Sequence, residues 1–160
     1  FTNYAVQEAA AGGARFLIDA YCGGGLFTLF GSQHFDQCAG VEINEYAILL
    51  AKANADANRI ANCNFFQSSA EAIFDNVEFP REQTAVLLDP PRKGCDSLFL
   101  DQLVNFRPVR VVYVSCDPAT QARDLVPLCN AGYRILKVQP FDLFPQTRHI
   151  ENVVTLELSV

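Results

Sequence analysis

The sequence lacks the features that mark membrane and secreted proteins. No apolar run approaches the roughly 18 residues that a membrane-spanning helix needs, so we expect no membrane partner. The first residues carry neither the basic nor the apolar segment of a signal peptide. Methionine is absent from all 160 residues, and we therefore expect an excised domain rather than a chain that begins at its own start codon.

Paired cysteines are also missing, although the chain has six cysteines. None belongs to a Cys-x-x-Cys pair, and the wide spacing differs from the disulfide frameworks of small secreted domains. No cluster of cysteine and histidine has the spacing of zinc ligands, so we expect no metal. We interpret the cysteines as reduced and mostly buried thiols of an intracellular protein, in the cytoplasm, the nucleus or a mitochondrion.

Charged residues are scarce at 19%, while half of the residues are apolar. This composition is typical of an ordered globule, and the length fits a single domain over residues 1–160. The formal net charge is -6 at pH 7, whereas proteins that bind nucleic acids usually present a basic surface. A chain with this charge would need residues outside this sequence to supply much of the electrostatic attraction for a nucleic acid.

Apolar runs alternate with amphipathic stretches along the chain, which predicts an α/β fold. The predicted strands are Arg15–Ala20, Gln37–Glu42, Asn64–Gln67, Ala85–Asp89, Val109–Ser115, Tyr133–Phe141 and Asn152–Val160, and the predicted helices are Glu45–Asn58, Ser97–Asn105 and Pro118–Asn130. Nearly continuous apolar strands indicate a mostly parallel sheet that is covered on both faces. The link Asp142–His149 is too short for a parallel crossover, so the last two strands should be antiparallel neighbours near the edge. This Rossmann-like arrangement resembles the class I S-adenosylmethionine-dependent methyltransferases.

A glycine-rich turn follows the first predicted strand. Glycine at positions 23–25 allows the backbone to pass close to a ligand, but a simple tight turn has the same pattern. The dinucleotide pattern Gly-x-Gly-x-x-Gly would need glycine at Thr28, which argues against a nicotinamide cofactor. Glu42 ends the second strand about 20 residues after the glycines, where an acid can accept hydrogen bonds from ribose hydroxyls. The alternative for Glu42 is a solvated carboxylate at the end of a strand.

Candidates for chemistry follow the later strands. Asp89 precedes Pro90-Pro91, whose stiff backbone presents the acid at the sheet edge, beside a substrate base or a methyl donor. Cys116 lies between a strand and a helix, and the positive end of a helix favours a thiolate. Glu151 precedes an antiparallel strand that begins at the same edge, so a nucleophile and a carboxylate base meet there. His149 is a competing base, although a packing role fits it better.

Five segments resemble a known family: DAYCGGGLF, VEIN, LLDPPRKGCD, YVSCDPATQARD and DLFPQTRHIENV. They are similar to the RNA 5-methyluridine methyltransferases, and most similar to the fungal tRNA (uracil-5-)-methyltransferases. The resemblance covers nearly the whole chain from Phe16 onward. It implies a catalytic domain that uses S-adenosylmethionine, with the family's RNA-binding parts upstream of this segment.

The resemblance also implies a mechanism. Cys116 would attack C6 of uracil, C5 would take the methyl group, and Glu151 would remove the C5 proton before Cys116 is released. Asp89 would lie beside both the methyl donor and the uracil. The cofactor-binding positions that the resemblance and the glycine turn imply are Tyr21, Gly23, Gly25, Glu42 and Asp89.

Three arginines in the motif segments are candidates for contacts with RNA, most plausibly transfer RNA. Arg92, Arg123 and Arg148 could each meet a phosphate, and each could equally be a surface charge or part of an internal ion pair. Two other functions stay open. One is methylation of an exocyclic amine, which would leave Cys116 without a covalent role, and the other is cofactor binding without catalysis.

Overall fold

The computed structural model describes residues 1–69, 72–147 and 149–159, and in these residues seven strands form one sheet. The elements in chain order are α1 (Thr2–Ala10), β1 (Phe16–Ala20), α2 (Leu26–Gly31), β2 (Gln37–Glu42), α3 (Glu45–Ala57), β3 (Cys63–Gln67), α4 (Ile73–Asn76), a 3-10 turn (Arg81–Gln83), β4 (Thr84–Leu88), α5 (Ser97–Phe106), β5 (Arg110–Ser115), α6 (Pro118–Asn130), β6 (Tyr133–Phe141) and β7 (Glu151–Leu158). No helix in the described ranges is long and apolar enough to cross a membrane.

The strands are arranged in the order β3-β2-β1-β4-β5-β7-β6. Strands β1 to β5 pair in parallel, whereas β7 pairs antiparallel with both β5 and β6. The predicted α/β fold is therefore confirmed, including the antiparallel strand next to the edge. The predictions for β2, α6 and β6 match the observed ends, and most other ends differ by one or two residues. One of these differences places Asp89 just after β4 rather than inside it.

The core consists of two apolar layers on the two faces of the central strands. Alternating side chains of β1, β4 and β5 face opposite sides, so Leu17 belongs to one layer and Ile18 to the other. The three central strands are almost completely buried, as expected for parallel strands with helices on both faces. This rigid centre carries the turns that follow β1, β4 and β5.

Helix α1 is an element that the sequence pattern does not predict. Its N-terminus has no side-chain cap, so local signals for a helix are weak. Tertiary contacts hold it instead, because Ala5, Val6 and Ala9 are fully buried in one apolar layer. The carboxylate of Glu8 accepts a hydrogen bond from Nζ of Lys137 at 2.6 Å, which ties α1 to β6.

A buried carboxylate joins β1 to α2. Oδ2 of Asp19 accepts hydrogen bonds from the backbone N–H of Thr28 at 2.9 Å and from its hydroxyl at 2.6 Å. Oδ1 has no hydrogen-bond partner among the described residues. Burial raises the pKa of Asp19 to about 7, although the bonds from Thr28 favour the ionised form. The glycine turn between β1 and α2 is thus closed by one carboxyl group that is costly to ionise.

We predict that Asp19→Asn changes how stability depends on pH. Because the folded protein raises the pKa of Asp19, the stabilisation linked to its proton is fully present below about pH 4 and is lost as the pH rises through about 7. Relative to Asp19→Asn, the wild type should lose on the order of 3 kcal/mol of unfolding free energy between pH 4 and pH 8. Denaturant unfolding at several pH values measures this difference. Asp101→Asn, at an exposed position of α5, is the control for the loss of one negative charge. If the difference in unfolding free energy between the wild type and Asp19→Asn does not change with pH, the prediction is wrong.

Candidate active site

The residues predicted to carry chemistry meet at the carboxyl edge of the parallel strands. Tyr21 directly follows β1, Asp89 follows β4 and Cys116 follows β5, while Glu42 is the last residue of β2. Because β7 is antiparallel to β5, its first residues lie at this same edge. Ser115 pairs with Asn152, so the neighbouring residues Cys116 and Glu151 lie side by side just beyond that pair.

A cavity of about 380 Å³ opens at this edge. Three of the predicted cofactor residues line it, namely Tyr21, Glu42 and Asp89. The other lining residues, which the sequence analysis did not assign, are Val41, Ile43, Ser68, Ser69, Pro91, Lys93, Gly94 and Asp96. Gly23 and Gly25 are not among the lining residues, but both have positive φ angles, +52° and +89°, that let the glycine turn form.

Glu42 is held by backbone groups rather than left in solvent. Oε2 accepts a hydrogen bond from the N–H of Gly23 at 3.2 Å, and Oε1 accepts one from the N–H of Asn44 at 2.9 Å. Asn44 in turn caps α3, because its side chain accepts from the N–H groups of residues 46 and 47. Each oxygen of the Glu42 carboxylate keeps a further lone pair. The carboxylate can therefore still accept hydrogen bonds from ligand hydroxyls in the cavity.

Asp89 borders the cleft formed by this cavity, and the residue is exposed rather than buried, although nearby protein atoms still desolvate its carboxyl group. Desolvation in the cleft raises the pKa of Asp89 to about 6, and the negative charge of Glu151 raises it further. The pKa of Glu151 is also raised by desolvation, while His149 lowers it. The charge of Glu151 therefore contributes to the raised pKa of Asp89, and both residues belong to the same edge of the sheet.

Cys116 opens into a second, smaller cavity of about 280 Å³. Its lining residues are Arg92, Cys116, Asp117, Pro118, His149 and Ile150. Across it, Nη2 of Arg92 lies 3.3 Å from Nδ1 of His149. A guanidinium can only donate, so Nδ1 accepts in this contact. His149 is exposed and is engaged by Arg92, and its role as a base or as a packing residue stays a prediction.

The turn that carries Cys116 is fixed by its own capping bonds. Oδ1 of Asp117 accepts hydrogen bonds from the backbone N–H groups of Ala119 at 3.0 Å and Thr120 at 3.3 Å, which caps α6. Pro118 fits the first turn of this helix, where no intrahelical N–H bond is needed. Cys116 is half-buried and free, directly before the capped end of α6.

Helix α6 also binds the loop that follows Asp89. The Thr120 hydroxyl donates to the carbonyl of Arg92 at 3.1 Å, and Nη2 of Arg123 donates to the carbonyl of Lys93 at 2.9 Å. The loop is the backbone from residue 92 to residue 95, and its position is therefore set by the same helix that begins after Cys116.

A buried carboxylate, Asp124, completes this attachment. Oδ2 accepts from the N–H of Cys95 at 2.7 Å and from the hydroxyl of Tyr113 at 2.8 Å, while Oδ1 accepts from Nε of Arg123 at 2.8 Å. The sequence analysis assigned no role to Asp124, although it ends the segment YVSCDPATQARD and is an acid on the inner face of a helix. Arg123 forms the internal ion pair that was left open as an alternative. Its contact with phosphate stays a prediction, and Arg148 lies outside the described residues.

Comparisons with known proteins agree with this arrangement. A family model described as tRNA (uracil-5-)-methyltransferase matches residues 3–159. The tRNA (uracil(54)-C(5))-methyltransferases of Saccharomyces cerevisiae and Schizosaccharomyces pombe are 43% and 44% identical to the chain. Each match covers 89% of this chain but only 23% and 28% of the relative, so the chain spans about a quarter of the length of these curated relatives.

Solved structures show the same fold. The crystal structure of Pyrococcus abyssi tRNA (uracil-54, C5)-methyltransferase in complex with S-adenosyl-L-homocysteine is 31% identical, with a TM-score of 0.78, over 94% of this chain and 36% of that chain. An rRNA methylase from Streptococcus thermophilus has a TM-score of 0.78 at 15% identity, over 98% of this chain and 95% of that chain. At that identity the second structure supports the fold alone.

We predict that Gly94→Ala destabilises the protein because the loop passes too close to α6 for a side chain. A Cβ at Gly94 would lie 2.5 Å from both Nη2 of Arg123 and Oδ2 of Asp124, and the φ of +80° disfavours alanine. Gly13 is a matched control, since its φ is +74° and a Cβ there would meet nothing within 4 Å. Denaturant unfolding should show a loss of about 1 kcal/mol for Gly13→Ala and about 3 kcal/mol for Gly94→Ala. Equal losses would contradict the close contact.

Proposed function

The chain belongs to the tRNA (uracil-5-)-methyltransferase family, and from this membership we propose that it methylates C5 of uracil in transfer RNA with S-adenosylmethionine as the methyl donor. The observation that carries the proposal is the meeting of Cys116, Asp89 and Glu151 at one edge of the sheet. A thiol and a carboxyl base beside a cavity for a small molecule are what covalent methylation of a pyrimidine requires.

The cavity lined by Tyr21, Glu42 and Asp89 fits a nucleoside that carries a charged substituent. The Glu42 carboxylate is fixed by two backbone N–H groups and retains lone pairs for ribose hydroxyls. Ser68 and Ser69 supply a polar wall, and Asp89 supplies a negative charge. Tyr21 borders the same space. When bound there, S-adenosylmethionine would supply an electrophilic methyl group on a positively charged sulfur.

The chemistry at uracil would begin at Cys116. C5 of uracil is a poor nucleophile until C6 is saturated, so the thiolate adds to C6 and the electrons move toward C5 and O4. C5 would then form the new bond to the methyl group, while the bond between that methyl group and the donor sulfur would break and leave the sulfur uncharged. In the last step Glu151 takes the C5 proton, the C5–H electrons restore the C5=C6 double bond, and the C6–S bond breaks to free Cys116. The raised pKa of Glu151 favours this role, since a stronger base accepts the proton more readily near neutral pH.

Contacts with RNA would come from the cationic side chains near the small cavity. Arg92 lines the Cys116 cavity and is exposed, so it can reach a phosphate while its other nitrogen meets His149. Arg123 is also exposed, but its guanidinium already binds Asp124 and Lys93. Among the described arginines we therefore assign the larger phosphate contribution to Arg92. The target uridine must be flipped out of its loop to reach Cys116, at a cost of a few kcal/mol.

We predict that Cys116→Ala abolishes a covalent complex with RNA that contains 5-fluorouridine. Fluorine at C5 cannot leave as a cation, so the reaction stops after methyl transfer with C6 still bonded to sulfur. The protein at its full natural length should form a complex that resists denaturing electrophoresis when donor is present. Cys129→Ala is the control, because Cys129 is an exposed thiol on α6, the helix that follows Cys116. A complex that persists in Cys116→Ala would refute the nucleophile.

We predict that donor binding follows the ionisation of Asp89. The pKa of about 6 means that the carboxylate forms as the pH rises from 5 to 7, and the cationic donor should then bind up to about tenfold more tightly. Calorimetry across this pH range gives the affinity. Asp89→Asn should flatten the profile, and Glu151→Gln should move the midpoint to lower pH, because the charge of Glu151 raises the pKa of Asp89. A profile that is unchanged in Asp89→Asn would contradict the assignment.

A further inference from the structure

A buried amide pair joins α6 to the first residues of β7. Nε2 of Gln121 donates to the carbonyl of Tyr113 at 2.9 Å and to the carbonyl of Asn152 at 3.2 Å. Nδ2 of Asn152 donates back to Oε1 of Gln121 at 2.6 Å. Both side chains are buried, and Gln121 is 1% exposed. These bonds belong neither to the backbone ladder of the sheet nor to the helix.

The pair lies next to the two strand ends that carry the nucleophile and the base. Gln121 is five positions after Cys116, in the first turns of the helix that Cys116 precedes, and Asn152 directly follows Glu151. Tyr113, the third partner, belongs to the strand that leads to Cys116. The buried amide of Gln121 therefore binds both the strand that leads to Cys116 and the strand that begins at Glu151. The proposed reaction needs Cys116 and Glu151 at a fixed separation.

Glu151 depends on such a support because little else fixes it. The segment that precedes it, residues 142–150, forms neither helix nor strand where it is described. On the far side, Glu151 pairs with Phe141 of β6, which is an edge strand and mostly exposed. The attachment of β7 toward the centre of the sheet begins at the pair of Ser115 and Asn152. Gln121 reinforces β7 at this first pair.

We propose that Gln121, acting through Asn152, is a positioning residue that holds Glu151 in place for removal of the C5 proton. This inference rests on the proposed function, and it names the residue that supports the last step of the proposed reaction. In that step the C5–H bond breaks, the proton passes to the Glu151 carboxylate, the C5=C6 bond forms and Cys116 leaves as a thiolate. Loss of the support should slow this step alone, since the addition of Cys116 to C6 does not use Glu151.

Gln121→Met tests the inference, because methionine has a similar volume and removes all three hydrogen bonds. With ordinary uridine RNA and donor, the full-length variant should accumulate the methylated covalent adduct. A misplaced base should slow elimination roughly ten- to hundredfold. The rate of adduct formation should change by less than about twofold. Rapid quenching and denaturing electrophoresis separate the two rates.

Two further variants make the result specific. Glu151→Gln removes the base itself and should trap the same adduct. Leu128→Ala creates a cavity under the same helix, at a fully buried residue without a contact to Asn152 among those described, and should lower stability without trapping adduct. If Gln121→Met resembles Leu128→Ala, the inference is overturned. If Glu151→Gln traps nothing while the wild type methylates RNA, the assignment of the base in the proposed function fails instead.

A measurement that is independent of activity tests the geometry. In Gln121→Met, backbone amide hydrogens at residues 151–153 and 114–116 should exchange faster than in the wild type. The increase should exceed, by at least about tenfold, the increase that the loss of global stability alone would cause. Leu128→Ala should show no such local excess. Unchanged local exchange in Gln121→Met would overturn the inference whatever the kinetics show. Asn152→Ala, which removes only one of the three bonds, serves if Gln121→Met fails to fold, and it should trap a smaller amount of adduct.

Discussion

The polar side chains of α6 hold together three backbone segments at the edge of the sheet, in addition to the strand pairing that joins β4, β5 and β7. Asp124 and Thr120 bind the loop after β4, Asp117 fixes the turn after β5, and Gln121 binds the start of β7. These segments carry Asp89, Cys116 and Glu151 respectively. Each bond is made to a backbone amide or carbonyl, so the helix constrains main-chain positions and leaves the reactive side chains free to meet a ligand.

The electrostatics of the edge follow from this close assembly. Asp19, Asp89 and Glu151 all have a raised pKa, and desolvation is the largest cause for each of them. A carboxyl group that is costly to ionise gains most from a cation brought next to it. A donor with a positively charged sulfur meets this requirement, whereas a second anion would not. The acidic balance of the chain is therefore compatible with its proposed ligand, even though it does not favour RNA.

The sequence predicts those parts of the molecule that local pattern determines. Apolar runs place the strands, and the strand ends place Asp89 and Cys116 at the carboxyl edge, while a link too short for a parallel crossover brings Glu151 there. Helix α1 escapes prediction because burial of its small apolar residues stabilises it rather than any capping signal. Arg123 is ambiguous for a similar reason, since a positive charge in a motif does not reveal whether its partner is an internal carboxylate or a phosphate.

The partners of Gln121 show the limit most clearly, because they lie eight and thirty-one residues away and nothing in the sequence pairs either of them with it. Residues 120 and 124 of α6 bind the loop after β4 and residue 121 binds the start of β7, so the helix can be correctly predicted while its role stays hidden. Desolvation by the surrounding protein is the largest cause of the raised carboxyl pKa values at this edge. Alignment and electrostatics at this edge are therefore not separate properties. A change that loosens α6 from either loop should disturb both the distance between the reacting groups and the ease with which they ionise.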